Sequence, residues 1–148
     1  MVTSEEGLST EMEKNIIEAA TRIFVKWGKK GASMQLIADE AGINRTLLNY
    51  YFRSKEKLFI NVFDRVFCNL IKQASDILES DIDIIEKLSS FIDIYISGLL
   101  NNPYIPVFIL NELNTNPEHL VRIFKSSGIK PLQSNAGHGK SYGGRKVN

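Results

Sequence analysis

Between Gly42 and Phe59 the sequence reads GINRTLLNYYFRSKEKLF, which sets an arginine, a threonine and an asparagine just after a glycine, then two tyrosines and a pair of lysines. These side chains suit the reading of double-stranded DNA. Arginine can donate twice to guanine, and asparagine can pair with the edge of adenine. In a short helix capped by Asn44, the residues Arg45, Thr46 and Asn49 face outward, while Leu48 and Phe52, four apart, hold the helix on a core. Leu47 is placed to touch a thymine methyl or a sugar. Phosphate contacts supply affinity and base edges supply sequence choice, so the remaining polar groups form a second set. Ser33, Tyr50, Tyr51 and Lys55 are its candidates, Tyr51 dividing between strand contact and plain packing. Lys55 falls at a helix N-terminus, where free N–H groups and the dipole already favour an anion. Gln35, in the first turn of the preceding helix, is within reach of a base or a phosphate.

The charge distribution agrees with a polyanionic partner. The 148 residues carry a net charge of +1, yet the span 22–57 holds eight Lys/Arg against three carboxylates, and the span 61–128 holds five against nine. A basic N-terminal unit on an acidic body points one end of the molecule at a polyanion.

Catalytic chemistry finds less support. The histidines are His119, which reads as a surface residue near a helix start, and His138; neither has a sequence cue for a partner. Cys68 reads as helix packing, and a lone cysteine excludes an internal disulfide and thiol metal clusters, which suits a reducing, cytoplasmic compartment. Gly139-Lys140-Ser141 echoes the end of a phosphate-binding loop, but Ser134 stands where the motif needs its first glycine, and the strand and helix around it are missing. The chain reads as a binding protein, not an enzyme, with no cofactor. Its apolar runs fall far short of the ~20 residues of a membrane span, and its N-terminus is acidic, so neither a signal peptide nor a membrane anchor is expected.

The elements that must position these residues are all helical. Thr10 to Glu13 forms a capping box, and Ile16, Ile17, Ala20, Ile23, Phe24 and Trp27 then recur at helical intervals, predicting a first helix over 11–27. Ser33 caps a short helix with Leu36, Ile37 and Ala41 inward until Gly42 stops it, and Asn44 caps the next, to about Tyr51. Ser54 caps a long helix towards Leu78 that connects head to body. A further apolar stripe runs from Asp81 to Leu100, and Asn102-Pro103 and Asn116-Pro117 mark two more helix starts. The expected organisation is a helix-turn-helix head over 1–54, a helical regulatory body over 55–128, and a flexible or atypical Gly/Ser/Lys-rich tail over 129–148.

The stretch IADEAGINRTLLNYYFRSKEKLF, residues 37–59, resembles the DNA-binding head of TetR/AcrR-type transcriptional regulators. Ala41, Gly42, Ile43, Arg45, Leu48, Tyr51, Phe52, Ser54, Lys55, Glu56 and Leu58 match the family pattern as they stand. Asn44 replaces the usual serine cap, and Leu47 and Asn49 stand where the family carries Thr/Ser and Tyr as phosphate contacts. The resemblance implies a homodimeric repressor on a pseudo-palindromic operator, with recognition helices about 34–36 Å apart. It also implies a small hydrophobic or cationic effector bound in the body, for which Phe63, Phe67, Tyr95, Tyr104, Phe108 and Phe124 are the cavity candidates against a reading as plain core. Beyond Leu70 the resemblance is architectural, and the last twenty residues do not resemble the two long helices that build the family's dimer. The alternative is therefore a shortened regulator acting as an interaction protein, in a heterodimer or as a weak DNA binder.

Overall fold

The computed structural model describes residues 4–127. Seven helices follow one another: α1 Ser4–Gly31, α2 Met34–Ala41, α3 Arg45–Tyr51, α4 Lys55–Glu79, α5 Ile84–Asn101, α6 Tyr104–Thr115 and α7 Pro117–Ser127. No strand occurs among the described residues, so the class is all-α as the periodicity indicates. The expectations for the 129–148 tail, with His138 and the Gly139-Lys140-Ser141 echo, lie outside the described residues.

α1 begins at Ser4, so the Thr10 capping box is not its start; Thr10 lies on an exposed turn inside the helix. The only breaker in that first stretch is Gly7, and one glycine costs a helix about 1 kcal/mol, too little to stop a run this long. The regular helix ends where the sequence indicates, because Gly28 takes φ 70°, a left-handed conformation that favours glycine.

The head closes around one core. Ile16, Ala20 and Phe24 of α1 meet Ile37 and Ala38 of α2, Leu48 of α3, and Leu58, Phe59 and Val62 of α4. Two expected core residues stay outside it: Trp27 is 55% exposed and Leu36 43%. Trp27 sits at the Gly28 break, at the end of the regular helix, and Leu36 lies on the outer side of α2 beside the buried Ile37.

α4 spans about 37 Å and carries the core out of the head. Phe24 packs edge-on against Phe59 at 5.1 Å, Phe59 stacks near Phe63 at 6.1 Å, Phe63 stacks on Phe67 at 5.8 Å, and Phe67 meets Phe124 at 5.9 Å. Phe108 of α6 joins the same ladder at 5.5 Å from Phe63. Packing is thus continuous from α1 to α7. Half-buried Cys68 lies beside it, its thiol pushed up from its ordinary pKa by burial and then by the Asp64 charge.

His119 overturns its surface reading. It is 2% exposed, with Nδ1 2.8 Å from Glu112 Oε1 and Nε2 2.7 Å from Asp64 Oδ1, so that α7, α6 and α4 share one polar bridge. Both ring nitrogens face carboxylate oxygens. The element after α4 starts at Asp83, which accepts from the N–H groups of Ile85 and Glu86 as the cap of α5. Its expected apolar stripe is present, but Ile84, Ile85, Leu88, Phe91, Ile92, Tyr95 and Ile96 are all exposed and Leu99 is half-buried. Pro117 opens α7 as expected, whereas α6 starts one residue after Pro103, with Asn102 Oδ1 accepting from the Tyr104 N–H at 3.3 Å. Among the described residues no helix is long and apolar enough to cross a membrane.

Candidate nucleic-acid interface

The turn between α2 and α3 is built by Gly42. At φ 69° its N–H donates to the Asp39 carbonyl at 3.1 Å, and the Ile43 N–H reaches back to Ala38 at 3.0 Å, closing the last turn of α2. Both short helices carry the caps the sequence indicates: Ser33 Oγ accepts from the Leu36 N–H at 3.1 Å, and Asn44 Oδ1 from the Leu47 N–H at 2.8 Å. The pair is braced from outside, since Arg22 of α1 bonds Glu40 at 2.7 Å and the Asn15 amide donates to the Ala41 carbonyl at 3.0 Å.

On that frame α3 divides as its sequence suggests. Leu48 is fully buried and Phe52 nearly so, while Arg45, Thr46 and Asn49 are exposed together on the opposite face and Leu47 is half-buried between. The helix contains no acidic residue, and Arg45 makes no ion pair among the described residues. Tyr50 is 79% exposed, its ring edge-on to half-buried Tyr51 at 5.4 Å. Tyr51 packs against the core, so its packing role is the better supported of the two.

Two expected strand contacts are partly engaged by the protein itself. Gln35 Nε2 donates to Asp39 Oδ1 at 2.8 Å. Lys55 is half-buried, and its ammonium donates to the Lys29 carbonyl at 3.0 Å and the Ala32 carbonyl at 3.1 Å, tying the start of α4 to the end of α1. Two of its three protons are thereby used. Arg53, absent from the sequence-based set, is exposed in the linker between α3 and α4. The signal was present, a cation between the recognition segment and the Ser54 cap.

The six aromatic candidates do not converge. Phe67 and Tyr95 border an apolar cleft of about 430 Å³ between α4, α5 and α6, whereas Tyr104 and Phe108 border a different groove towards α1. Phe63 is sealed in the core and Phe124 packs on Phe67; neither borders the cleft or the groove. Core packing thus accounts for half of the set, since Phe63, Phe67 and Phe108 are all buried in the ladder.

Residues 16–62 match the sequence profile described as bacterial regulatory proteins, tetR family. The same head and part of the body align with the HTH-type transcriptional repressor NicS of Pseudomonas putida, 36% identical over 127 residues, covering 82% of this chain and 56% of that protein. Residues 16–62 thus form a TetR-family head. The chain is also similar to the uncharacterized HTH-type transcriptional regulator YhgD of Bacillus subtilis, 28% identical over 81 residues, covering 55% of this chain and 42% of that one. The TetR-like fold extends beyond the head: the fatty acid degradation regulator FadR from Bacillus halodurans superposes with a TM-score of 0.60 at 22% identity, covering 78% of this chain and 61% of that chain. The chain spans about half the length of the two sequence relatives.

Proposed function

We propose that this protein is a transcriptional regulator that sets α3 into the major groove of an operator. The observation that carries the reading is the division of α3: Leu48 fixes it from beneath, and Arg45, Thr46 and Asn49 stand exposed together with no carboxylate on the helix. Arg45 and Asn49 are the base readers, with Leu47 against a methyl or sugar. Ser33, Asn44, Tyr50 and the third proton of Lys55 meet the strands. Repression is the mode favoured by similarity to a repressor.

Effector control and pairing belong to the same reading. The apolar cleft beside Phe67 and Tyr95 suits a small hydrophobic ligand, and a ligand that prefers one angle of α4 shifts the population of heads able to bind. The uncovered face of α5 supports association into a homodimer, which a pseudo-palindromic operator requires. The test is selection of bound duplexes from a random pool, followed by gel shifts. A two-fold repeated motif is expected, and Arg45→Ala should weaken the selected site by about 1–3 kcal/mol while relaxing choice at one base position. Uniform weakening on every sequence would remove Arg45 from the base readers.

A further inference from the structure

A second groove, about 890 Å³, runs where the head meets the body, between the end of α1, the start of α4 and α6. Four lysines border it, Lys26, Lys29, Lys30 and Lys55, against one carboxylate, Glu112. Glu112 is no counter-charge for a visitor: it is 6% exposed and engaged by His119 at 2.8 Å and by the Asn116 amide at 3.4 Å. Lys29 is paired with Glu56 at 2.6 Å and Lys55 is held by two carbonyls. Lys26 and Lys30 make no ion pair among the described residues, and the Lys26 ammonium lies 5.1 Å from the centre of the Trp27 ring.

The apolar side of the groove is equally uncommitted. Trp27, Tyr104 and Val107 are 55%, 52% and 57% exposed, although an indole and a phenol ring are among the largest apolar surfaces a protein can bury. Two ammonium groups outside any ion pair, one of them resting on the Trp27 ring, stand beside three half-exposed apolar side chains, and together they define one ligand chemistry.

We propose that this groove binds an amphiphilic carboxylate, its charged head against Lys26 and Lys30 and its acyl or aryl body across Trp27, Tyr104 and Val107. Charge-assisted bonds orient the head, and cover of the apolar trio supplies the rest. The site is distinct from the cleft between α4, α5 and α6, which is bordered by no charged residue. A ligand here touches α1 and α6 at once and fixes the angle between head and body. The inference stands independently of DNA binding.

Trp27 is the only tryptophan of the chain, so selectively excited tryptophan emission reports on this groove. Titrating the full chain with octanoate should move the emission saturably, whereas octanol, the same chain without the charge, should act far more weakly. The double change Lys26→Gln and Lys30→Gln should weaken the octanoate response about tenfold, the loss of roughly one charge-assisted contact. Lys72→Gln, on the exposed side of α4, should leave it unaltered. Val107→Glu, an exposed position that puts a repelling carboxylate into the groove, should abolish the response and keeps the test decisive if the double variant folds poorly. Equal responses to octanol and octanoate, an unsaturable shift, or native octanoate binding by the double variant overturns the proposal.

Discussion

The side chains that matter most for stability are ones whose partners lie far along the chain. His119 meets carboxylates 7 and 55 residues away, a coincidence no local pattern encodes, so the sequence shows only a histidine near a helix start. His119→Ala removes the 2.8 Å hydrogen bond to buried Glu112, and leaving a buried polar group short of a partner costs about 1–3 kcal/mol. Urea unfolding should show that loss. Asp64→Asn should cost clearly less, because Asp64 is 44% exposed and water replaces part of the bond. Lys55 differs from His119: its position at a helix start was legible, but its grip on two carbonyls of α1 was not. Lys55→Met should therefore lower stability by about 1–2 kcal/mol as well as weaken binding to all duplexes alike. A variant that lost DNA affinity with an unchanged melting midpoint would make Lys55 purely a strand contact.

At the scale of elements, the sequence was most informative where a single residue type is demanded by backbone geometry or by a free N–H. Gly28 and Gly42, with φ of 70° and 69°, end their helices where the pattern ends, and Ser33, Asn44 and Ser54 cap as expected. It misled where a cap pattern competed with helix continuation at Thr10, because a capping box also tolerates being carried inside a helix. The apolar stripe of α5 was legible but its exposure was not, because a stripe records what a face prefers, not what the folded chain supplies. Two glycines make opposite predictions from the same substitution. An added Cβ meets nothing within 4 Å at either Gly42 or Gly98, so only backbone conformation decides. Gly42→Ala forces a β-carbon into the left-handed region and should destabilise by about 1–2 kcal/mol. Gly98→Ala, inside α5, should stabilise by about 0.5–1 kcal/mol. Thermal unfolding of the two variants checks both signs.

Among the described residues a well-packed axis stands beside an exposed flank. The phenylalanine ladder joins head to body through packed rings running from Phe24 to Phe124. The flank is α5, with Ile84, Ile85, Leu88, Phe91, Ile92 and Tyr95 all about half exposed or more. This is the face proposed above to meet a second copy of the chain, and because none of its residues is fully buried within the protomer, charging them costs the fold little. Leu88→Glu with Ile92→Glu should leave helical content and melting almost unchanged while shifting sedimentation from dimer to monomer at micromolar concentration. The same variant should lose affinity for a two-fold operator far more than for a single half-site, since the second head then arrives from bulk solution and not from a tethered partner. Dimeric sedimentation of the charged variant would move the pairing surface off α5, and equal losses on full and half operators would show that the heads do not act in pairs.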